Sequence, residues 1–327
     1  MKKPARIAAW IAAAASMLML GAVNACAGDY PDHPIRLLVP GAAGGGMDVV
    51  ARLVASTIGD ILKQAVVVEN KPGAAGDIAV NQLAKSPPDG YTVVLGQTSQ
   101  LAINPTLYGN LPYDPIKDFV PVVLVAEAPN VVVVPANSPY RTLTDVVAAA
   151  KALPDGMDVT TPGIGTVSHL TAELFARSAG IKFQHIPSRG ANSALIDVAA
   201  GRIPLMLSSI PTSLGLIQNG TLRAIAVSAL VRSPVLPDVP TIAEQGYPGF
   251  NAGTWYGLLV PAGTPPDVVA RLNSAGNAAL KSPAIVAQVQ AEGGVVLGGS
   301  SAAFTDKLQL DNGKWSKLIK EAGLHQE

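Results

Sequence analysis

Cysteine is all but absent. Cys26 is the only one, and it falls in an N-terminal stretch with the marks of a cleaved leader. From Gly28 onward the chain therefore has no means of forming a disulfide, a thiolate metal site or a cysteine nucleophile. Histidine is scarce and dispersed, at positions 33, 169, 185 and 325, with no H-E-x-x-H pair to hold a catalytic zinc. No G-x-S-x-G elbow occurs. The spacing Gly41-x-x-Gly44 fits neither a P-loop nor a dinucleotide fingerprint, and no Lys-Ser/Thr follows it. Charged residues are 14% of the chain and aromatics 5%, with no basic run interleaved with aromatics, so a nucleic-acid partner is not expected. These absences leave an exported hydrolase as a poor reading and call for no cofactor, no metal and no catalytic residue.

What charge there is balances, 23 basic against 23 acidic residues. Lys2, Lys3 and Arg6 precede an Ala/Leu/Met-rich stretch over residues 7–23. Ala25-Cys26-Ala27 then matches an A-x-A cleavage site. Residues 1–27 are expected to be a signal peptide and the chain to be periplasmic. Lipidation at Cys26 is the lesser alternative. Without those residues 20 bases face 23 acids, a net charge of about −3. With 49% apolar residues the 327-residue chain has material for a large core and two domains.

The most informative stretch is Ile35-Arg-Leu-Leu-Val-Pro-Gly-Ala-Ala-Gly-Gly-Gly-Met-Asp48. Residues 35–39 read as a short buried strand closed by Pro40. Val49, Val50, Leu53, Val54, Ile58, Ile61 and Leu62 then recur at helical spacing. Strand, glycine loop and helix together place bare N–H groups at a positive helix end, where an anion fits without Lys or Arg. Gly44, Gly45 and Gly46 are the candidate contacts. Asp48 either ties the loop back or meets the ligand.

A second unit of this kind begins at Asp158 and runs through Thr161, Gly163, Gly165, Thr166 and His169 into a helix ended by Gly180. Thr166 and Ser168 compete for its N-cap. A lone histidine there is an orienting hydrogen-bonder rather than a base. Two such loops predict two α/β halves with a small anion clamped between them.

Between these units, strands are expected at 65–69 and 92–95 and a helix at 78–85, with irregular chain over 101–119. Alternating strands and helices imply a parallel sheet, whose ligands sit at the carboxyl ends of strands. Gln97, Thr98 and Ser99 share that edge, as ligand contacts or as caps. Apolar runs at 122–125 and 131–134, broken by residues 127–130, read as the crossing into a second domain. A capped helix at 142–152, strands at 183–186, 204–207 and 223–228 and a helix up to residue 200 complete that domain. Residues 255–260 return the chain to the first domain, and Trp255 is expected to serve the hinge. The predicted domains are 28–127 with 251–327, and 128–250.

These residues carry a resemblance. Tyr30-Pro-Asp-His-Pro-Ile35, Val39-Pro40 with Gly44-Gly45-Gly46 and Asp48, Val68-Glu-Asn-Lys-Pro-Gly-Ala74 and Asp89-Gly-Tyr-Thr92 stand in its first third. Leu111-Pro-Tyr-Asp114, Gly163-x-Gly165-x-x-x-His169-Leu170, Leu236-Pro-Asp-Val-Pro-Thr241 with Glu244, and Trp255-x-Gly257-x-x-x-Pro261 follow in order. Together they resemble the Bug family of bacterial extracytoplasmic receptors, the solute-binding components of tripartite tricarboxylate transporters. The resemblance implies a two-lobed periplasmic-binding-protein fold, type II-like, with two doubly wound α/β domains joined by two crossing strands. It implies a carboxylate held by backbone N–H groups, hydroxyls and water, delivery to integral membrane transporter subunits, and a monomer. A sensor that presents its ligand to a signalling protein would have the same receptor surface.

The chain departs from the family pattern in three places. Gly41, Ala42 and Ala43 replace an aromatic and two prolines. The turn Pro187-Ser188-Arg189-Gly190 replaces Pro-Tyr-Lys-Gly, so Ser188 and Arg189 face the cleft, Arg189 toward a second carboxylate or into a surface ion pair. Ser208 stands where an Asp is common. Two lost aromatics imply a wider mouth and a bulky or aromatic acid. The lost Asp implies a ligand without an α-amino group.

Overall fold

The fold is built on strand β4, Phe119–Pro135, which runs unbroken through the stretch where the sequence reads as an interruption. In this computed structural model residues 30–188 and 190–326 are described. The signal-peptide reading, Cys26 and Arg189 lie outside them. Contacts divide the chain after His33, and the elements below belong to the unit that begins at Pro34.

In chain order the elements up to β4 are β1 (Ile35–Val39), α1 (Gly46–Leu62), β2 (Val66–Asn70), α2 (Asp77–Ala84), β3 (Thr92–Gln97) and α3 (Asn104–Leu107). After β4 come α4 (Leu143–Ala152), β5 (Met157–Thr161), α5 (Val167–Ala179), β6 (Phe183–Pro187), α6 (Ala191–Ala199), β7 (Met206–Ser209), α7 (Ile210–Gln218) and β8 (Leu222–Val227). The chain closes with β9 (Gly253–Pro261), α8 (Pro266–Ala279), α9 (Pro283–Ala291), β10 (Val295–Val296) and α10 (Ser301–Ala322).

Local chemistry accounts for most of these boundaries. Helix α1 buries Val50, Ala51, Val54, Ala55, Ile58 and Leu62, one face at helical spacing, and stops at Lys63 in the left-handed region. Thr142 and Asp145 form a reciprocal capping box at α4. Thr166 wins the N-cap of α5, accepting from the His169 N–H, and Gly180 ends the helix with φ 61°.

The sheet has two sections that share β4. In the first the order is β2-β1-β3-β9-β4, with β1, β2 and β3 parallel and β9 antiparallel to both of its neighbours. In the second, β7 and β8 lie antiparallel to the far end of β4, and β5 and β6 continue beyond β7 in parallel. The side chains of β4 alternate between faces there. Val131 and Val133 pack with Ala194, Leu195 and Val198 of α6, while Val132 and Val134 pack with α4 and α5 through Leu143, Val146, Leu170 and Phe175. Burying each valine is worth about 1.5 to 3 kcal/mol, which fixes the register of the strand on both sides.

The registers place the strand ends. Asn130 of β4 pairs with Ser209, the last residue of β7, and Pro129 pairs with Gly253, the first residue of β9. Because β3 runs antiparallel to β9, with Gln97 opposite Tyr256, the carboxyl ends of β3 and β1 point toward Gly253. The carboxyl ends of β7, β5 and β6 point toward Asn130. Both sets of strand ends therefore converge on Pro129-Asn130 from opposite sides.

Two readings of the sequence need correction, and one helix stands where none was expected. Residues 127–130 do not break the strand, because Pro129 stays in register with Gly253 of β9 and Asn130 with Ser209 of β7. Part of the region read as irregular is helical: Ser99–Ile103 forms a wide turn that continues into α3, burying Leu101, Ala102, Ile103 and Leu107. Helix α7 follows β7 directly, with Pro211 in its first turn, where a missing N–H costs nothing.

Candidate functional site

The first glycine loop joins β1 to α1 at the junction. Gly45 is the N-cap of α1, and no side chain caps the helix there, so its leading N–H groups are left for a ligand or solvent. Gly44 has φ 81°, a backbone conformation that favours glycine. Its N–H donates to Asp48 Oδ2 at 2.9 Å. Arg52 Nε donates to the same oxygen at 2.9 Å, and Asn70 Nδ2 donates to Oδ1 at 2.9 Å and to Gly41 O at 3.1 Å. The Arg52 contact first, then the Gly44 N–H, hold the Asp48 carboxyl down at about 2. Asp48 is thus an anchor for the loop, its oxygens engaged by protein donors.

At the end of β3, Gln97 and Ser99 are half-buried, whereas Thr98 is fully buried. The Thr98 hydroxyl accepts from the Trp255 N–H at 2.9 Å and so ties β3 to β9. Trp255 is itself wholly buried, stacked edge-on to Phe304 at 5.4 Å, with Nε1 donating to Asp311 Oδ2 at 2.8 Å. It serves packing, as expected.

The second glycine loop joins β5 to α5. Gly165 has φ 78°, and a side chain there would run into Leu107. The Gly165 N–H donates to His169 Nδ1 at 3.0 Å, and Thr166 Oγ1 donates to Gly163 O at 2.9 Å. Thr161, the last residue of β5, is 1% exposed, and its hydroxyl has no hydrogen-bond partner among the described residues. Beside it the Ser188 N–H donates to Thr161 O at 3.0 Å, and the Ser188 hydroxyl shares a hydrogen with Ser193 at 2.6 Å. Ser208 is fully buried, its hydroxyl donating to Ser209 O at 3.1 Å.

His169 is 2% exposed and meets His185 edge-to-face, ring centres 4.4 Å apart. Glu173 Oε1 lies 2.7 Å from His185 Nε2. Burial, and secondarily His185, push His169 down to about 4. His169, Glu173 and His185 bring ligand atoms within 4.8 Å of one another, the spacing of a metal site. The Gly165 bond argues against that use: with Nδ1 accepting, the neutral ring carries its proton on Nε2 and has no lone pair for a metal. The cluster is a buttress behind the second loop.

Sequence reasoning missed two features of this region. Asn130, 4% exposed, donates through Nδ2 to Thr171 Oγ1 at 3.1 Å and accepts from Ser168 Oγ at 3.1 Å, and its N–H donates to Ser228 Oγ at 2.9 Å. It fastens the crossing point of β4 to the first turn of α5. The carboxylate of Glu292, just after α9, lies so close against Gly46 that a side chain there would have to displace it. The two sections also touch directly, through Gly165 against Leu107, Gln326 Nε2 donating to Ile164 O at 2.8 Å, and Gly293 against Ile210. Cavities behind α1, of about 660 Å³, and beside Tyr247, of about 410 Å³, are lined by none of the loop residues.

Comparison with known proteins identifies the family. Residues 50–324 match the family described as TctC, tripartite tricarboxylate transporter family receptor. The chain is 35% identical to protein BugT of Bordetella pertussis over 295 residues, 90% of each chain. Among solved structures, a Rhodopseudomonas palustris protein with adipate is 33% identical, with a TM-score of 0.74 over 90% of this chain and 99% of that one. Periplasmic binding protein BugD is 34% identical, with a TM-score of 0.71 over 91% and 100%. MatC of Rhodopseudomonas palustris with bound malate is 30% identical, with a TM-score of 0.70 over 89% and 100%. The fold is the α/β fold of these periplasmic binding proteins, and the chain belongs to the TctC family of tripartite tricarboxylate transporter receptors.

Proposed function

We propose that this chain is a periplasmic receptor that captures a small organic carboxylate where its two glycine loops meet and delivers it to tripartite membrane transporter subunits. The observation that carries this reading is the register that sends both sets of strand ends to Pro129-Asn130, each set with a glycine loop and a helix N-terminus. A carboxylate there is met by the two helix N-termini, through backbone N–H groups around Gly46 and Gly163, with Thr161 Oγ1 as a buried donor beside them; the N–H groups of Gly44, Gly45, Gly165 and Thr166 are held by Asp48, Ala42, His169 and Gly163 and shape the loops. Gln97, Ser99 and Ser188 contribute polar contacts around it. Asp48, Thr98, His169 and Ser208 act by holding the loops in place. We assign residues 28–127 with 251–327 to one lobe and 128–250 to the other, closing about β4 as a monomer. No helix among the described residues is long and apolar enough to cross a membrane.

The relatives solved with adipate and with malate support a carboxylate ligand. With serine at 208 and no aromatic at 41–43, the reading favours a bulky acid without an α-amino group. In this reading the chain is a receptor that returns its ligand unchanged. Equilibrium dialysis against matched acids and amino acids tests this: the acid is retained and recovered unchanged, the amino acid is not. Preference for the amino acid, or chemical conversion of the acid, contradicts the reading.

A further inference from the structure

The first glycine loop is not a purely cationic cradle, because a carboxyl group shares it. Glu292 follows α9, and α9 packs beside α1. Its Oε1 and Cδ crowd Gly46, the first residue of α1, so the carboxyl sits at the positive end of that helix, while Gly46 itself is exposed. Gln288 Nε2 of its own helix donates to Oε1 at 3.1 Å. From β9, Tyr256 faces it, and burial followed by the Glu292 charge pushes the Tyr256 phenol up. The other acid of the loop, Asp48, is already neutralised by Arg52. Among the described residues no lysine, arginine or histidine lies within ion-pair distance of Glu292. Burial raises its carboxyl above the usual range.

An unpaired carboxyl beside an anion site has one physical consequence. A plain carboxylate seated at Gly44–Gly46 is repelled by it, whereas a ligand that turns a hydrogen-bond donor toward Glu292 converts the repulsion into a charge-assisted bond. We propose that Glu292 is a specificity-determining residue that selects carboxylates bearing a hydrogen-bond donor next to the seated carboxyl group. The donor is taken as a hydroxyl because Glu292 is the one carboxyl offered to it, Ser208 supplying no second carboxylate to balance an ammonium, and the amino form of each acid tests that choice. The inference rests on the receptor reading above and narrows its ligand to hydroxy acids.

The test is calorimetric titration of the purified chain and of Glu292→Gln with matched sets. Each set holds the unsubstituted, 2-hydroxy and 2-amino forms of one mono- or dicarboxylic acid. The expected result is that the hydroxy acid binds the wild-type chain about tenfold more tightly than the unsubstituted acid, the value of one charge-assisted bond. In Glu292→Gln the unsubstituted acid gains affinity and the preference shrinks to about twofold, a gain that misfolding does not produce. Equal binding of the two acids by wild type, a preference unchanged in Glu292→Gln, or tightest binding of the amino form overturns the proposal while leaving the receptor reading intact. Binding of no member by either protein overturns the receptor reading itself, and this proposal with it.

Discussion

The Gly165 N–H donates to His169 Nδ1 across one turn at the start of α5, and the bond exists only while that ring is neutral. Burial and His185 lower His169 from 6.5 to about 4, so the folded chain resists a proton that the unfolded chain accepts. The stability this contributes is complete above pH 6.5 and is lost as pH falls to 4, by about 3 kcal/mol in total. Chemical denaturation at stepped pH checks this. His169→Asn, which keeps an acceptor for Gly165 but does not titrate, flattens the slope in that window. A wild-type slope that survives the substitution contradicts the assignment.

The two loops answer differently to a side chain. Gly45 has φ −76° and ψ 163°, ordinary extended backbone, and an added Cβ would lie 3.4 Å from Ala42 O. Gly45→Val is expected to leave the melting temperature within a few degrees of wild type and to abolish carboxylate binding. Gly165→Val collides with Leu107 and needs φ 78°, so it lowers stability by more than about 1 kcal/mol as well as binding. Thermal melts alongside titration separate the two outcomes.

Thr161→Val removes a hydroxyl that has no hydrogen-bond partner among the described residues. Stability is expected to hold or rise slightly, while affinity falls about tenfold. A folded variant with wild-type affinity removes Thr161 from the site.

Asn130→Ala strands Ser168 and Thr171, whose hydroxyls meet the Asn130 side-chain amide, while Ser228 keeps its bond from the backbone N–H. Losing the buried amide costs roughly 1 to 3 kcal/mol by denaturant titration. It weakens ligand binding as well, because the first turn of α5 loses its tie to β4. Asn130→Asp, which can still accept from Ser168, is expected to recover part of the binding.

Much of this architecture is legible in the sequence because local rules and the fold agree. Residues 35–39 are short and apolar, α1 repeats its apolar face at helical spacing, and Thr142 with Asp145 announces α4, so each element forms where expected. The continuity of β4 is hidden because Glu127, Pro129 and Asn130 look like punctuation, and only pairing with β9 and β7 holds them extended. Helix α7 is hidden because Pro211 reads as a stop when it stands in a first turn. Of the site, the glycine loops are visible because their composition dictates their geometry. The Asn130 network and the Glu292 carboxyl are not, since both arise from contacts between residues far apart in sequence.

The central claim is that a carboxylate occupies the junction of the two loops. Thermal shift of the purified, ligand-stripped chain against mono-, di- and tricarboxylates and aromatic acids tests it most directly. At 100 times its dissociation constant a bound acid adds about 2.7 kcal/mol to stability, which raises the melting temperature by several degrees. The account predicts such a shift for at least one acid and its loss in Gly45→Val. A chain that no carboxylate stabilises, or one stabilised equally with valine at position 45, contradicts it.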